Sequence, residues 1–289
     1  MRKSRNFIFS IFGSLFLLNI LAWLTVYEIN QNRFLEVDFF DVGQGDAIFI
    51  ESPKGHQILI DGGPSSAILE KLAKEMPFWD RTIDLVILTH PERDHLAGLL
   101  EVLKRYKVEN ILWTGVVRDT QEFKEWEKAI KEEKANVRIA QSGQKITILS
   151  EKLYLEILYP FENLTGQELK NSNNTSIVSQ VVFNENSFLF TGDIPKSTEK
   201  KLAENESNLN SDILKVSHHG SKNASSKEFI EKVLPEIAVI SAGKGNSYGH
   251  PHQEVLDILE SYGIRVLRTD QQGDIKIISD GNNYEVSHF

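Results

Sequence analysis

The sequence predicts an α/β protein of two sheets with helices packed outside them, carried behind one apolar N-terminal helix. Three observations predict it. Residues 7–27 carry no charged side chain, strand-like and helix-like runs alternate from Leu35 onward, and no Pro- or Gly-rich linker interrupts that alternation. With 289 residues, 40% of them hydrophobic, the chain can bury a substantial core, and its 8 Pro and 18 Gly mark neither disorder nor low complexity.

Met1 to Arg5 supplies Arg2, Lys3 and Arg5, and the 21 residues that follow are broken only by Gly13 and a few small polar side chains. About 20 apolar residues suffice to cross a bilayer as a helix. Trp23 and Tyr27 stand near the end of the run, where amphipathic rings favour the interface, and the basic flank favours a cytoplasmic N-terminus. Residues 1–33 therefore read as a membrane anchor, with the following domain on the outer side. A cleaved signal sequence, and hence secretion, is the rival reading, but the run is long and no small-x-small site follows it.

Strands are expected over 35–42, 47–51 and 57–61, then a helix over 66–76 with Leu69, Leu72, Ala73 and Met76 on one face. Residues 84–88 read as a buried strand, 96–106 as a helix, and 110–113 as a strand. An amphipathic helix over 120–134 presents Phe123, Trp126 and Ile130. Strands follow near 153–158, 176–183, 187–191 and 212–216, a helix at 226–233, a strand at 237–241, a helix at 252–262, and strands at 265–268 and 274–278. Residues 34–289 thus read as one domain.

The chain has no cysteine, which excludes thiolate metal sites, cysteine nucleophiles and disulfide-linked partners together. Any metal must rest on His, Asp, Glu or Asn. Beyond the three cations of the N-terminal flank, 29 basic side chains face 41 acidic ones. That balance argues against a general nucleic-acid coat protein, so a nucleic-acid substrate would be held by a local patch or by metal ions.

The chemistry is concentrated in His90-Pro-Glu-Arg-Asp94-His95, directly after the buried strand 84–88, where such sheets build their sites. Two imidazoles and two carboxylates within six residues can converge on one or two divalent cations. Read alone, the loop admits a second explanation, a polar turn in which Asp94 caps a helix. Thr191-Gly-Asp193 ends another apolar strand and Lys215-Val-Ser-His218-His219-Gly-Ser221 a third. Asp61, before Gly62 and Gly63, fits either a ligand-orienting carboxylate or a turn-shaping residue. Lys222 and Lys227 fit a solvated loop as well as a phosphate contact. His56 and His288 lie away from every motif.

Asp41-Val-Gly-Gln-Gly-Asp46-Ala47, Ile60-Asp61-Gly62-Gly63, Thr89-His90-x-x-x-Asp94-His95, Thr191-Gly-Asp193, His218-His219-Gly-Ser221 and Tyr248-Gly-His250-Pro251 follow one another in this order. Together they resemble the metallo-β-lactamase domain of ComEC competence proteins across roughly 35–280. The resemblance implies an αβ/βα four-layer sandwich and a metal-dependent phosphodiesterase or nuclease that acts on DNA. It also implies that Asp94, His95 and His218 hold one cation, that His90 belongs to a second site, and that Asp193 bridges the two. Asp61 would orient a ligand, and His250 would point into the cleft to bind a phosphoryl oxygen or protonate a leaving group. Asn174, His219, Ser221 and Asn223 would contact substrate.

Two positions depart from the wider pattern. Glu92 stands where a histidine is usual, and Asn174 replaces the third imidazole of the first site. Oxygen donors there shift preference toward manganese or magnesium, while the His-rich site still suits zinc. The expected cofactor is one or two divalent ions, Zn or Mn. The expected reaction is hydrolysis, in which cations acidify the attacking water, Asp94 or Asp193 orients it, and His250 assists the leaving oxygen. Two other functions are compatible with the fold. One is hydrolysis of another small ester, lactone or lactam; the other is a binding module weakened by Glu92 and Asn174. With a single apolar run, DNA uptake itself enters only by analogy.

Overall fold

The computed structural model describes residues 2–29, 34–150, 152–169, 171–206 and 208–287. Helix α1 (Arg2–Ile29) precedes β1 (Leu35–Phe39), β2 (Ile48–Glu51), β3 (Gln57–Ile60), α2 (Ala67–Glu75), β4 (Thr82–Leu88), α3 (Arg93–Leu103), β5 (Lys107–Trp113), α4 (Gln121–Glu133) and β6 (Asn136–Ile139). Next come β7 (Lys145–Ser150), β8 (Leu153–Tyr159), β9 (Val178–Phe183), β10 (Asn186–Phe190), α5 (Lys196–Asn205), β11 (Ile213–Lys215), α6 (Lys227–Val233) and β12 (Ile237–Ile240). The chain closes with α7 (Gln253–Ser261), β13 (Arg265–Arg268), α8 (Thr269–Gln272), β14 (Ile275–Ser279) and β15 (Tyr284–Ser287).

The strands form an eight-stranded sheet, ordered β15-β14-β1-β2-β3-β4-β5-β6, and a seven-stranded sheet, ordered β13-β12-β11-β10-β9-β8-β7. Three apolar layers hold them. Alternate residues explain the arrangement, because strand side chains point to opposite faces. Leu85 and Ile87 of β4 enter the layer between the sheets with Phe39, Phe188 and Phe190, whereas Ile83, Val86 and Leu88 meet α2, α3 and α4 outside. On the far side, α5, α6 and α7 cover the second sheet through Leu202, Phe229, Ile230, Val255 and Leu259. Helices, sheet, sheet, helices is the four-layer α/β sandwich.

Five elements escape the sequence pattern: β6, β7, α5, α8 and β15. Strand β6 is a sheet edge with three of its four residues exposed, and α5 is ten residues dominated by charge, so neither shows the apolar period of a core element. Helix α3 begins at Arg93, three residues before the expected 96, which places Asp94 and His95 in its first turn. The boundary expected at 33/34 falls beside residues 30–33, which with His288 lie outside the described residues.

Helix α1 contains the window Phe9–Val26, 18 residues with mean hydropathy 2.0 and none of it buried. Its length and composition allow it to cross a membrane.

One close approach positions the site. The backbone of α3 rests on the turn after β3, with Gly62 N donating to His95 O at 2.8 Å and Gly98 N to Gly63 O at 2.9 Å. A Cβ on Gly98 would fall inside the Gly62 carbonyl oxygen. Gly98→Ala is expected to push α3 off the turn and cost more than about 2 kcal/mol, as overpacking does, with a parallel loss of metal binding. Denaturant unfolding read together with metal titration checks this, and a variant unchanged in both would show that α3 has room to shift.

Candidate metal centre

Every candidate ligand is delivered to one end of the sandwich. Strands β3, β4, β10 and β11 run toward that end and release Asp61, His90, Asp193 and His218–His219 just past their last residues, while α3 returns Asp94 and His95. The two histidines after β11 sit in a tight turn with left-handed backbone, φ 51° at His218 and 55° at His219. Two consecutive non-glycine residues there are strained, and such strain concentrates where side chains must be aimed.

Asp193 is the focus. Its Oδ2 lies 3.5 Å from His95 Nε2, 3.5 Å from His219 Nε2, 3.9 Å from His218 Nε2 and 4.0 Å from His90 Nε2. Asp94 Oδ2 stands 3.4 Å from His219 Nε2 and 4.0 Å from His95 Nε2. Asp94, His95, Asp193 and His219 each offer one ligand atom within 4.8 Å of the others. His90, His95 and Asp193 are buried; His218 is half-buried.

The opposite nitrogens are occupied, and this sets the tautomers. Thr89 Oγ1 donates to Asp61 Oδ2 at 2.6 Å, so His90 Nδ1–H, 3.0 Å away, donates to Thr89. His95 Nδ1–H donates to the same Asp61 oxygen at 2.7 Å. His219 Nδ1–H donates to Ser241 O at 3.0 Å, with Asp46 Oδ1 at 3.2 Å. With the rings neutral, as a metal ligand must be, each Nε2 turns a lone pair on the cluster, the arrangement that carboxylate and carbonyl partners impose on metal-binding histidines. Asp61 both shapes its turn, at φ 59°, and orients His95.

Buried polar atoms normally find partners. Here His90 Nε2, His95 Nε2, His219 Nε2 and Asp193 Oδ1 have no hydrogen-bond partner among the described residues. Neutral imidazoles and carboxylates in this number are the donor set for zinc or manganese, and the residues fit such an ion. Without one, the charges compensate among themselves. Burial would depress His219, but the Asp193 and Asp46 carboxylates outweigh it and raise its pKa to about 10. Burial and the neighbouring His95 hold His90 down at about 3. Asp193 is buried, yet the His219 and His95 imidazoles bring its carboxyl well below the ordinary range.

The structure redistributes several expected roles. His219, expected at the substrate, stands with Asp94 and His95, whereas His218, expected there, is half-exposed, its Nε2 3.9 Å from Asp193 Oδ2 and 3.4 Å from Asn173 Nδ2. Glu92 is not brought to the cluster. Its carboxylate is taken up by Arg118 at 3.0 Å and by the Ser172 hydroxyl, which turn it away. Asn174 is exposed and offers its carbonyl to Tyr159, so Asn173 is the amide that faces the cleft. Ser221 is buried and accepts from the Asn223 backbone, and Asn223 is exposed, so neither faces Asp193.

His250 does reach the cleft. Its ring centroid lies 5.7 Å from that of His218 and 6.2 Å from that of His219, and its Nδ1 is 3.4 Å from Gln44 Nε2. Half-burial, then the nearby His219 and His218, lower its pKa to about 4. His252 stays at the start of α7, accepting from Lys222 N. Lys215 is fully buried and grips Asp46 Oδ2 at 2.7 Å, so it supports His219 from behind and contacts no substrate. Nothing in the sequence distinguishes this lysine from the loop lysines except its position inside an apolar strand.

Comparison with known proteins agrees with this fold. The profile of the Metallo-beta-lactamase superfamily matches residues 40–244. ComE operon protein 3 of Bacillus subtilis is 34% identical over 259 residues, covering 83% of this chain and 32% of the relative. Competence protein ComA of Neisseria gonorrhoeae is 30% identical over 244 residues, 83% of this chain and 32% of its own. Recombination protein 2 of Haemophilus influenzae is 29% identical over 250 residues, 84% and 28%. The chain thus spans about a third of the length of these relatives. Among solved structures, the metallo hydrolase Igni18 of Ignicoccus hospitalis aligns with a TM-score of 0.53 at 14% identity, over 89% of this chain and 99% of that one. The CmlA beta-hydroxylase E377D mutant aligns at 0.54 and 14%, over 88% and 54%. These two share the fold.

Proposed function

This chain belongs to the metallo-β-lactamase superfamily, and on that footing we propose that it is a divalent-metal-dependent phosphodiesterase that cleaves DNA outside the cytoplasm, tethered through α1. One observation carries the reading: four imidazole nitrogens converge on Asp193, three of them, on His90, His95 and His219, with their opposite nitrogens already oriented. Asp94, His95, His219 and Asp193 would hold one cation, and His90, His218 and Asp193 a second. Bound there, the ions supply an acidified water and a sink for phosphoryl charge.

The chain's own residues do the rest. Asp61, Thr89, Ser241 and the Lys215–Asp46 pair hold the imidazoles so that no reorganisation accompanies binding. His250 is neutral at pH 7. With Gln44 Nε2–H facing its Nδ1, its Nε2–H is left as a hydrogen-bond donor for a phosphoryl or leaving oxygen. The rim supports an extended anion with bases. Lys222 and Lys244 are exposed on the loops that carry His219 and His250, and Tyr248, 67% exposed, stacks on His250 at 5.6 Å and 24°. Relatives named for competence and recombination point the same way.

The full chain in detergent, supplied with Mn or Zn, is expected to hydrolyse bis(p-nitrophenyl) phosphate and single-stranded DNA, to lose both activities on chelation, and to leave a lactam reporter intact. Lactam turnover without phosphodiester cleavage would replace the reading with a different hydrolase. Tight metal binding with no turnover of either would make the chain a binding module.

A further inference from the structure

The topology fixes what lies at the other end of the sandwich. Strands β1, β3, β4, β5 and β6 all begin there, because β1 and β3 both run antiparallel to β2 and the rest run parallel to β3. Helix α3 ends there too, since it returns from the metal centre to the start of β5. Large apolar side chains gather at this end. Outside α1, the exposed ones among the described residues are Phe34, Phe78, Trp79, Val137, Leu234 and Tyr248. All but Tyr248 sit at or beside strand starts, opposite the metal centre.

We infer that this end rests on the bilayer, with Phe78 and Trp79 inserted among the lipid headgroups and the metal centre directed away from the membrane. The inference relies on the anchoring reading of α1 and goes beyond it by assigning a face and an orientation. Phe78 and Trp79 form the tip of the turn between α2 and β4, 79% and 73% exposed, their rings packed edge to face at 4.8 Å. Paired aromatic rings of this exposure suit the membrane interface, where one side of the ring is apolar and the other wet.

Cations surround the turn. Arg81 joins Lys107 through a backbone hydrogen bond of 2.7 Å, and Lys104 and Arg105 follow α3 directly beside them. Glu101 pairs with Lys104 at 2.6 Å, Glu109 with Lys107 at 3.4 Å, and Glu133 accepts from Val108 N at 2.7 Å, so charge around the turn is balanced and the exposed aromatic pair, not electrostatics, supplies the contact. The tether leaves little choice of distance. Six residue steps from Ile29 to Leu35 reach at most about 20 Å, so the strand starts stay near the emerging helix. Seven residues of β4 then lift the cluster about 23 Å further from them.

The absence of native cysteine gives a clean test, because each single-cysteine variant of the full chain carries one thiol. An environment-sensitive NBD label would be placed at Phe78→Cys, Arg105→Cys, Lys244→Cys and Val26→Cys, in vesicles of phosphatidylcholine and phosphatidylglycerol with doxyl-lipid quenchers. Quenching at positions 26, 78 and 105 but not at 244 is the expected result. Quenching at 26 with solvent-like signals at 78 and 105 would overturn the docked orientation while leaving the anchor in place. A solvent-like signal at 26 would remove the anchor, and the docking with it.

Discussion

Asp193→Ala is expected to abolish metal-dependent hydrolysis and to strip the chain of tight divalent-ion binding. The carboxylate is shared by all four imidazoles and stands in both proposed subsites, so nothing else can substitute for it. Removing a partner that merely orients a ligand costs roughly 10–100-fold in metal affinity or activity. Loss of the shared ligand should exceed that. Elemental analysis of the purified variant, with the bis(p-nitrophenyl) phosphate assay, gives the comparison. Wild-type metal content would move the centre elsewhere. His219→Ala should fall close behind, and His218→Ala less far, because His219 is buried beside Asp94 whereas His218 is half-exposed.

The second large effect concerns stability. Asp46→Ala would leave Lys215 Nζ fully buried with the Val216 carbonyl at 3.0 Å and no counter-charge at 2.7 Å. Breaking a buried pair by removing one partner costs about 3–5 kcal/mol. Replacing both, Asp46→Ala with Lys215→Met, is expected to recover most of that in urea unfolding, since two apolar groups carry no desolvation cost. Hydrolysis should not recover with it, because His219 would still lack its Asp46 neighbour. A double variant as unstable as the single one would mean that packing, not charge, accounts for the loss.

The sequence made the fold legible where strands are buried on both faces. Runs such as Thr82–Leu88 have no other reading between their turns. Edge strand β6 and helix α5 carry no such pattern, because half or more of each faces water. The centre was legible in kind and order, since acid and imidazole clusters after apolar strands have few structural uses. Exchange between neighbours was not. His218 and His219 are separated only by a backbone turn at positive φ, and Asn173 and Asn174 only by which amide a single 3-10 turn, Asn173–Thr175, presents. Glu92 was drawn away by Arg118, 26 residues further on, a pairing that no local spacing encodes.

The centre is also a seam. Its residues come from both sheets, His90, Asp94 and His95 from the first and Asp193, His218 and His219 from the second, with about a hundred residues of chain between the two groups. Each sheet has its own outer apolar layer and can condense locally, but the ligand set exists only after the two faces meet across their shared core. Long-range contacts of this kind form late. An ion that binds only the assembled form would therefore act as a clasp, raising the stability of the finished protein by mass action while giving nothing to a half-made one. Loading at the proposed site would then be a checkpoint on assembly, and a chain halted before Asp193 would have no means of passing it.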